Sequence, residues 1–227
     1  MPGVYRRVNR VFTIYQYVVP ALLFPASYLL WLRRLEDHRV VLLTLSMPVL
    51  FAYVIPGIGT NCLKLWEINT RLRLGRFRPH HGFVFGTAAS LFALLCVEVP
   101  NASLHLFGVL RAAFITGSVL GFWNWLYDVA AVRSGFITVY NLPYARGQGP
   151  EAIVTDFAAV LFGTFGACYG AALHVSHHYL VAHGRFDLFW ALLMGFNLLA
   201  LAAPVAAFVL SSYLKHGESG LKPHGRE

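Results

Sequence analysis

Charge is scarce in this chain. Only 12% of its 227 residues are Asp, Glu, Lys or Arg, about half the share of an ordinary soluble domain. Acid is the scarcer sign, with 10 Asp and Glu against 18 Lys and Arg. Cysteine is nearly missing too: Cys62, Cys96 and Cys168 lie in or beside apolar runs without paired spacing. That excludes a disulfide framework and a cysteine-held zinc site, and leaves three small hydrophobes. No Pro-, Gly- or Ser-rich linker interrupts the chain, and its one low-complexity piece is the terminal "KHGESGLKPHGRE". The expected organisation is therefore one domain over 1–213 followed by a polar cytoplasmic tail, 214–227.

What the chain has in abundance is apolar sequence. Hydrophobic residues make up 57% of it, more than one soluble core of this size buries. They fall into runs at 11–32, 40–60, 82–99, 104–127, 152–174 and 187–213, each near the ~20 residues that cross a bilayer as a helix. The expectation is an all-α, polytopic membrane bundle of about six transmembrane helices. The opening "MPGVYRRVNR" has the charge of a signal peptide, but the apolar run after it is long, lacks a small-residue cleavage site and ends in "WLRRLEDHR". It reads as a retained first helix. A net charge of +8 could indicate nucleic acid, yet the basic residues sit between spans. Thirteen of the 18 Lys and Arg gather on one side if the N-terminus is inside, and four on the other. The positive-inside rule then places both termini in the cytoplasm and excludes a nucleic-acid partner. The setting implied is a bacterial inner (plasma) membrane or an equivalent endomembrane.

Polar groups at membrane depth are costly and point to sites. In "GFWNWLYDVAAVRSGFITVYN", residues 121–141, Asn124 and Asp128 are four apart and share a helical face. "GPEAIVTDF" puts Glu151 at a helix start and Asp156 about one and a half turns deeper, in apolar surroundings. "TNCLKLWEINTR" carries Asn61 and Glu67 at the same side of the bilayer. Each has a plain structural reading as well. Glu151 suits a helix N-terminus, Glu67 could pair with Lys64, and Asp128 could neutralise Arg133; Asp156 needs a partner from another helix. The candidate catalytic residues are Asp128, Glu151, Asp156 and Glu67. Burial disfavours a charged carboxyl, so Asp128 and Asp156 suit a proton donor, and Glu151 and Glu67, nearer water, suit a base. Trp66, Trp123, Tyr127 and Tyr140 belong to an aromatic belt at the cytoplasmic ends, and aromatic faces can also stabilise a cation. With Asn61 and Asn124 they are the candidate substrate-binding residues.

On the opposite side, "LHVSHHYLVAH" sets His174, His177 and His178 at i, i+3, i+4. This resembles one histidine box of membrane di-iron desaturases and hydroxylases, but no H-x-x-x-H partner box is present, so no metal is expected. Arg111, inside a span, is expected to pair with Glu98. The short outer connection contains an Asn101-Ala102-Ser103 sequon.

"YDVAAVRSGFITVYN" followed by "GQGPEA" resembles the repeat of the integral-membrane lycopene cyclases of the heterodimeric, carotenoid-forming type. The matching positions are Tyr127, Asp128, Arg133, Gly135, Pro150 and Glu151. Tyr127 replaces the usual Trp, and Ala152 stands where that family has a second Glu. "NCLKLWE" is distantly similar to the Asn and Trp-Glu of the small fungal membrane cyclases that build meroterpenoids. The resemblance implies a cofactor-independent cyclase or isomerase that takes a hydrophobic isoprenoid or lipid from the bilayer and works by acid-base, carbocation chemistry. Two other classes fit the same residues: a non-catalytic membrane subunit or transporter, and a His-ligated metal oxidoreductase of lipids. The oligomeric state is not encoded in any feature of the sequence.

Overall fold

The structure, a computed structural model, describes residues 2–98 and 104–225, with side chains from Val8 onward. The outer connection with its sequon lies outside the described residues. All six apolar runs become helices. Five are long and apolar enough to cross a membrane: α1 (Val8–Leu35, in a helix that begins at Pro2), α2 (His38–Cys62), α4 (Leu106–Arg133), α5 (Pro150–Ala182) and α6 (Phe186–His216). The chain is an integral membrane protein on that ground. The remaining run, expected as a span over 82–99, forms the shorter α3, His81–Cys96, of 16 residues. At 1.5 Å per residue it is about 24 Å long, less than the ~30 Å hydrocarbon thickness.

Local chemistry sets the helix ends. α1 and α2 are joined by Glu36, in the left-handed region at φ 59°, and Asp37, whose carboxylate accepts from the backbone N–H of Arg39 at 2.8 Å and caps α2. α6 ends at Gly217, φ 76°, where glycine carries no Cβ penalty. Two of the three wider π-turns among the described residues follow or contain prolines, at Val19–Leu23 with Pro20 and at Ile58–Cys62 after Pro56. Proline has no N–H for the i−4 carbonyl, so the helix re-pairs around it.

α4 and α5 pack closest, through Gly117 and Gly121 against Gly163, Gly166 and Gly170. A Cβ at Gly170 would come within 2.4 Å of the Ala112 carbonyl. Small residues let the two backbones approach, as in other membrane helix pairs. The main core, with Trp31, Val40, Met47, Phe51, Phe165 and Tyr169, fills the outer half of the bundle. There Arg34 closes α1 onto α3 by donating to the carbonyls of Leu94 (2.5 Å) and Val97. Arg111 and Glu98 form the expected ion pair at 3.2 Å, on the surface.

At the opposite, basic end the two long connections meet. Trp66–Ile68 (β1) and Ile137–Val139 (β2) pair antiparallel, with Trp66 opposite Val139 and Ile68 opposite Ile137. Phe12 of α1 stacks on Phe136 at 5.3 Å and meets Tyr127 edge-on at 4.8 Å. The terminal segment after α6 folds back, so that the His224 N–H donates to the Tyr140 carbonyl at 2.8 Å. Both ends of the described chain thus lie at the end where the basic residues collect. The segment expected as a polar cytoplasmic tail from 214 begins inside α6 and then packs against the bundle.

Candidate active site: an aromatic cavity holding two aspartates

Between the β1–β2 ribbon, the basic ends of α2, α4 and α6, and the start of α5 lies a cavity of about 290 Å³. Its depth is apolar, walled by Phe51, Phe85, Leu161 and Phe162; its rim is polar, with Asn141, Asp156, His216, Glu218 and His224. Volume and composition match a site for a hydrophobic small molecule.

The i, i+4 expectation for α4 holds. Asn124 and Asp128 both line the cavity. The Asn124 amide donates back to the Leu120 carbonyl at 2.7 Å, which leaves its side-chain oxygen for other contacts. Asp128 is 9% exposed and has neither an ion pair nor a hydrogen bond among the described residues. Arg133, the neutralising partner it could have had, is turned toward Glu151 instead.

Asp156 has the interhelical partner that its apolar sequence context demanded. A break in α5 at Asp156 and Phe157 turns the side chain to the cavity rim. The His216 Nε2 lies 2.7 Å from one carboxylate oxygen, and the Asn141 amide donates to the other at 3.2 Å. Lys215 donates to the Asp156 carbonyl at 3.0 Å. Both members of the Asp156–His216 pair are largely buried, at 12% and 15% side-chain exposure.

Trp66, Tyr127 and Tyr140 also line the cavity; four other candidates do not. Glu151 is half exposed and paired with Arg133, because the first turn of α5 faces away from the cavity. Glu67 sits on the strand face opposite Trp66. It does not meet Lys64, but accepts from the Tyr140 hydroxyl at 2.5 Å and lies 3.9 Å from Arg73. Burial, and then that bond to Glu67, push the Tyr140 hydroxyl up to about 12. Asn61 organises a loop, its side-chain oxygen accepting from the Arg76 N–H at 2.8 Å. Trp123 points outward, 45% exposed, and stacks on Phe92 at 5.6 Å.

Sequence reasoning missed Arg78, His81, His216 and the folded-back segment. Arg78 is 2% exposed and lines the cavity, as does His81. Within "RLRLGRFRPHHG" nothing distinguishes Arg78 from its three neighbouring arginines except its place before Pro79 at a helix start. His216 could have been suspected as the partner Asp156 lacked, since a cation at a helix C-terminus is favoured there.

The outer histidines do not converge. His177 is fully buried, edge-on to Trp31 at 5.8 Å; His178 packs on His183 at 4.4 Å; and His174 lies against Gly108. Among the described residues no group of three or more His, Cys, Asp and Glu is placed to hold a metal ion. No family model, no curated protein and no solved structure matches the chain.

Proposed function

We propose that the chain is a membrane-embedded, cofactor-independent cyclase or isomerase that acts by acid-base chemistry on a hydrophobic isoprenoid or lipid substrate taken from the bilayer. The observation that carries this reading is Asp128: a carboxyl with no hydrogen bond or contact ion pair among the described residues, at the wall of an aromatic cavity, in a chain with so few acids. Asp128 in its acid form gives its proton to a substrate alkene, leaving a carbocation beside the faces of Tyr127, Trp66 and Phe162. Ring closure or double-bond migration follows. A proton then leaves the carbon next to the cation and passes to the Asp156–His216 pair, restoring a double bond. One proton enters and one leaves, so substrate and product are isomers and the step needs no oxidant or reductant.

Glu151 and Glu67, engaged with Arg133 and Tyr140, yield the base role to Asp156–His216. A transporter reading would require a polar route across the bilayer, whereas the bundle beyond Phe51 and Phe165 is filled by buried Trp31, Leu43, Tyr169 and Leu173. The fitting locations are a bacterial plasma membrane or an equivalent endomembrane, with the cavity on the cytoplasmic side by charge asymmetry. The test is turnover of a panel of polyprenyl substrates by membranes containing the chain, in D₂O, with products resolved by mass spectrometry. Product should carry one solvent deuterium, and Asp128→Asn and Asp156→Asn should each lower the rate by roughly 10²–10⁴ in folded protein. Full turnover in both variants would overturn the proposal.

A further inference from the structure

Arg78 is a buried cation that makes no contact ion pair among the described residues, although the Asp128 carboxyl lies near enough to feel its charge. Three elements hold its guanidinium. Its Nε donates to His81 Nδ1 of α3 at 3.1 Å, one terminal nitrogen donates to Gln16 Oε1 of α1 at 3.5 Å, and the Phe136 ring, just before β2, lies 5.7 Å away. Gln16 is itself fixed by the hydrogen bond that its side-chain amide donates to the Thr70 hydroxyl at 3.0 Å. None of these partners is charged, and among the described residues Arg78 makes no ion pair. Beside it lies the buried Tyr127 hydroxyl, which faces the guanidinium. Both residues line the cavity.

Two of the carboxylates that share this cavity are engaged elsewhere. Asp156 is held by His216 and Lys215, and Glu218 pairs with His224 at 2.6 Å. Asp128 faces the same space and interacts with the Arg78 charge at longer range, with no hydrogen bond or contact ion pair between them. A buried charge without a contact ion pair is disfavoured, and a guanidinium held by neutral groups of three elements at a cavity wall is suited to receive an oxyanion.

We propose that Arg78 and Tyr127 bind the anionic head, a carboxylate or phosphate, of an amphiphilic ligand whose apolar chain runs along Phe51, Phe85 and Phe162. This rests on the cavity being a substrate site, but not on acid-base chemistry there. The head is held at the α1–α3 side of the rim, which brings the first carbons of the chain past Asp128.

The experiment is isothermal titration of the full chain in phosphatidylcholine nanodiscs with dodecanoate, dodecyl phosphate, dodecanol and inorganic phosphate. At least one of the two anionic amphiphiles is expected to bind tenfold or more tighter than dodecanol. Arg78→Gln should erase that preference and leave dodecanol binding unchanged. Asp128→Asn should retain or strengthen it, so a failed catalytic reading and a failed anion site give different results. Tyr127→Phe, which keeps the charge and removes one donor, should weaken the anionic amphiphiles several-fold and stands as the test if Arg78→Gln does not fold. Equal binding of dodecanol and both anions, or an anion preference untouched by either variant, would overturn the proposal. Inorganic phosphate binding as tightly as dodecyl phosphate would overturn the amphiphile assignment and make this a free-anion site.

Discussion

Replacing Asp156 by Asn tests the joint on which the cavity rim depends. Its carboxylate ties the start of α5 to the last residue of α6 through His216, at 2.7 Å, and to the short turn Leu142–Ala145 through Asn141, at 3.2 Å. Side-chain exposures of 12% and 15% mean little solvent screening of that pair. A hydrogen bond to a charged partner contributes ~1.5–3 kcal/mol and a neutral one ~0.5–1.5 kcal/mol. Asn keeps an acceptor of the same shape, so Asp156→Asn should cost about 1–1.5 kcal/mol. Asp156→Ala leaves the imidazole unpaired and should cost ~2–3 kcal/mol. The Lys215 hydrogen bond to the Asp156 backbone carbonyl survives both changes, whereas its longer ion pair with the carboxylate, at 4.0 Å, is lost in both. The assay is reversible urea unfolding in bicelles, followed by far-UV circular dichroism, for Asp156→Asn, His216→Gln and the double variant. A coupling of roughly 1 kcal/mol in that cycle is expected. A value within ~0.3 kcal/mol of zero would refute the pair as a stabilising contact, whatever the single variants cost.

Gly170→Ala should destabilise by about 1–3 kcal/mol, because its Cβ meets the Ala112 carbonyl at 2.4 Å and Thr116 at 2.6 Å; Gly195→Ala, with open space around it, should not, and thermal unfolding of the two separates close packing from a general effect of removing glycine. Glu151→Gln should change stability by less than ~1 kcal/mol, since its partner Arg133 is 46% exposed, and should leave turnover at the wild-type rate. The Tyr140 hydroxyl, raised from 10.0 to about 12, stabilises the fold in its protonated state; that contribution is complete below about pH 10 and is lost as pH rises through about 12. Tyr140→Phe should remove this alkaline loss from the pH profile of unfolding.

Several site residues were legible because their signal is local. Asn124 and Asp128 align by helical spacing alone, and the apolar neighbours of Asp156 announced that it needed a distant partner. Others misled for the same reason. Glu151 beside Pro150 matched a motif, yet the first turn of α5 presents it to Arg133. Glu67 shared a strand with Trp66, and period-two alternation sends neighbours to opposite faces. Sequence position says that both lie at one end of the bundle, and nothing about which face of each element meets the cavity.

The chain's composition and hydropathy by themselves determined that it folds as membrane helices, where the helices run and that Glu67, Asp128, Glu151 and Asp156 lie at the basic end, because a bilayer acts on each segment independently through its length and polarity. Only the tertiary structure decided which polar residues meet. The break in α5 turns Asp156 toward His216, the β1–β2 ribbon joins loops some 70 residues apart (Glu67 opposite Thr138), and Arg78 is buried by Gln16, 62 residues away. Those contacts depend on distance and direction across packed elements, which no local pattern of residues encodes.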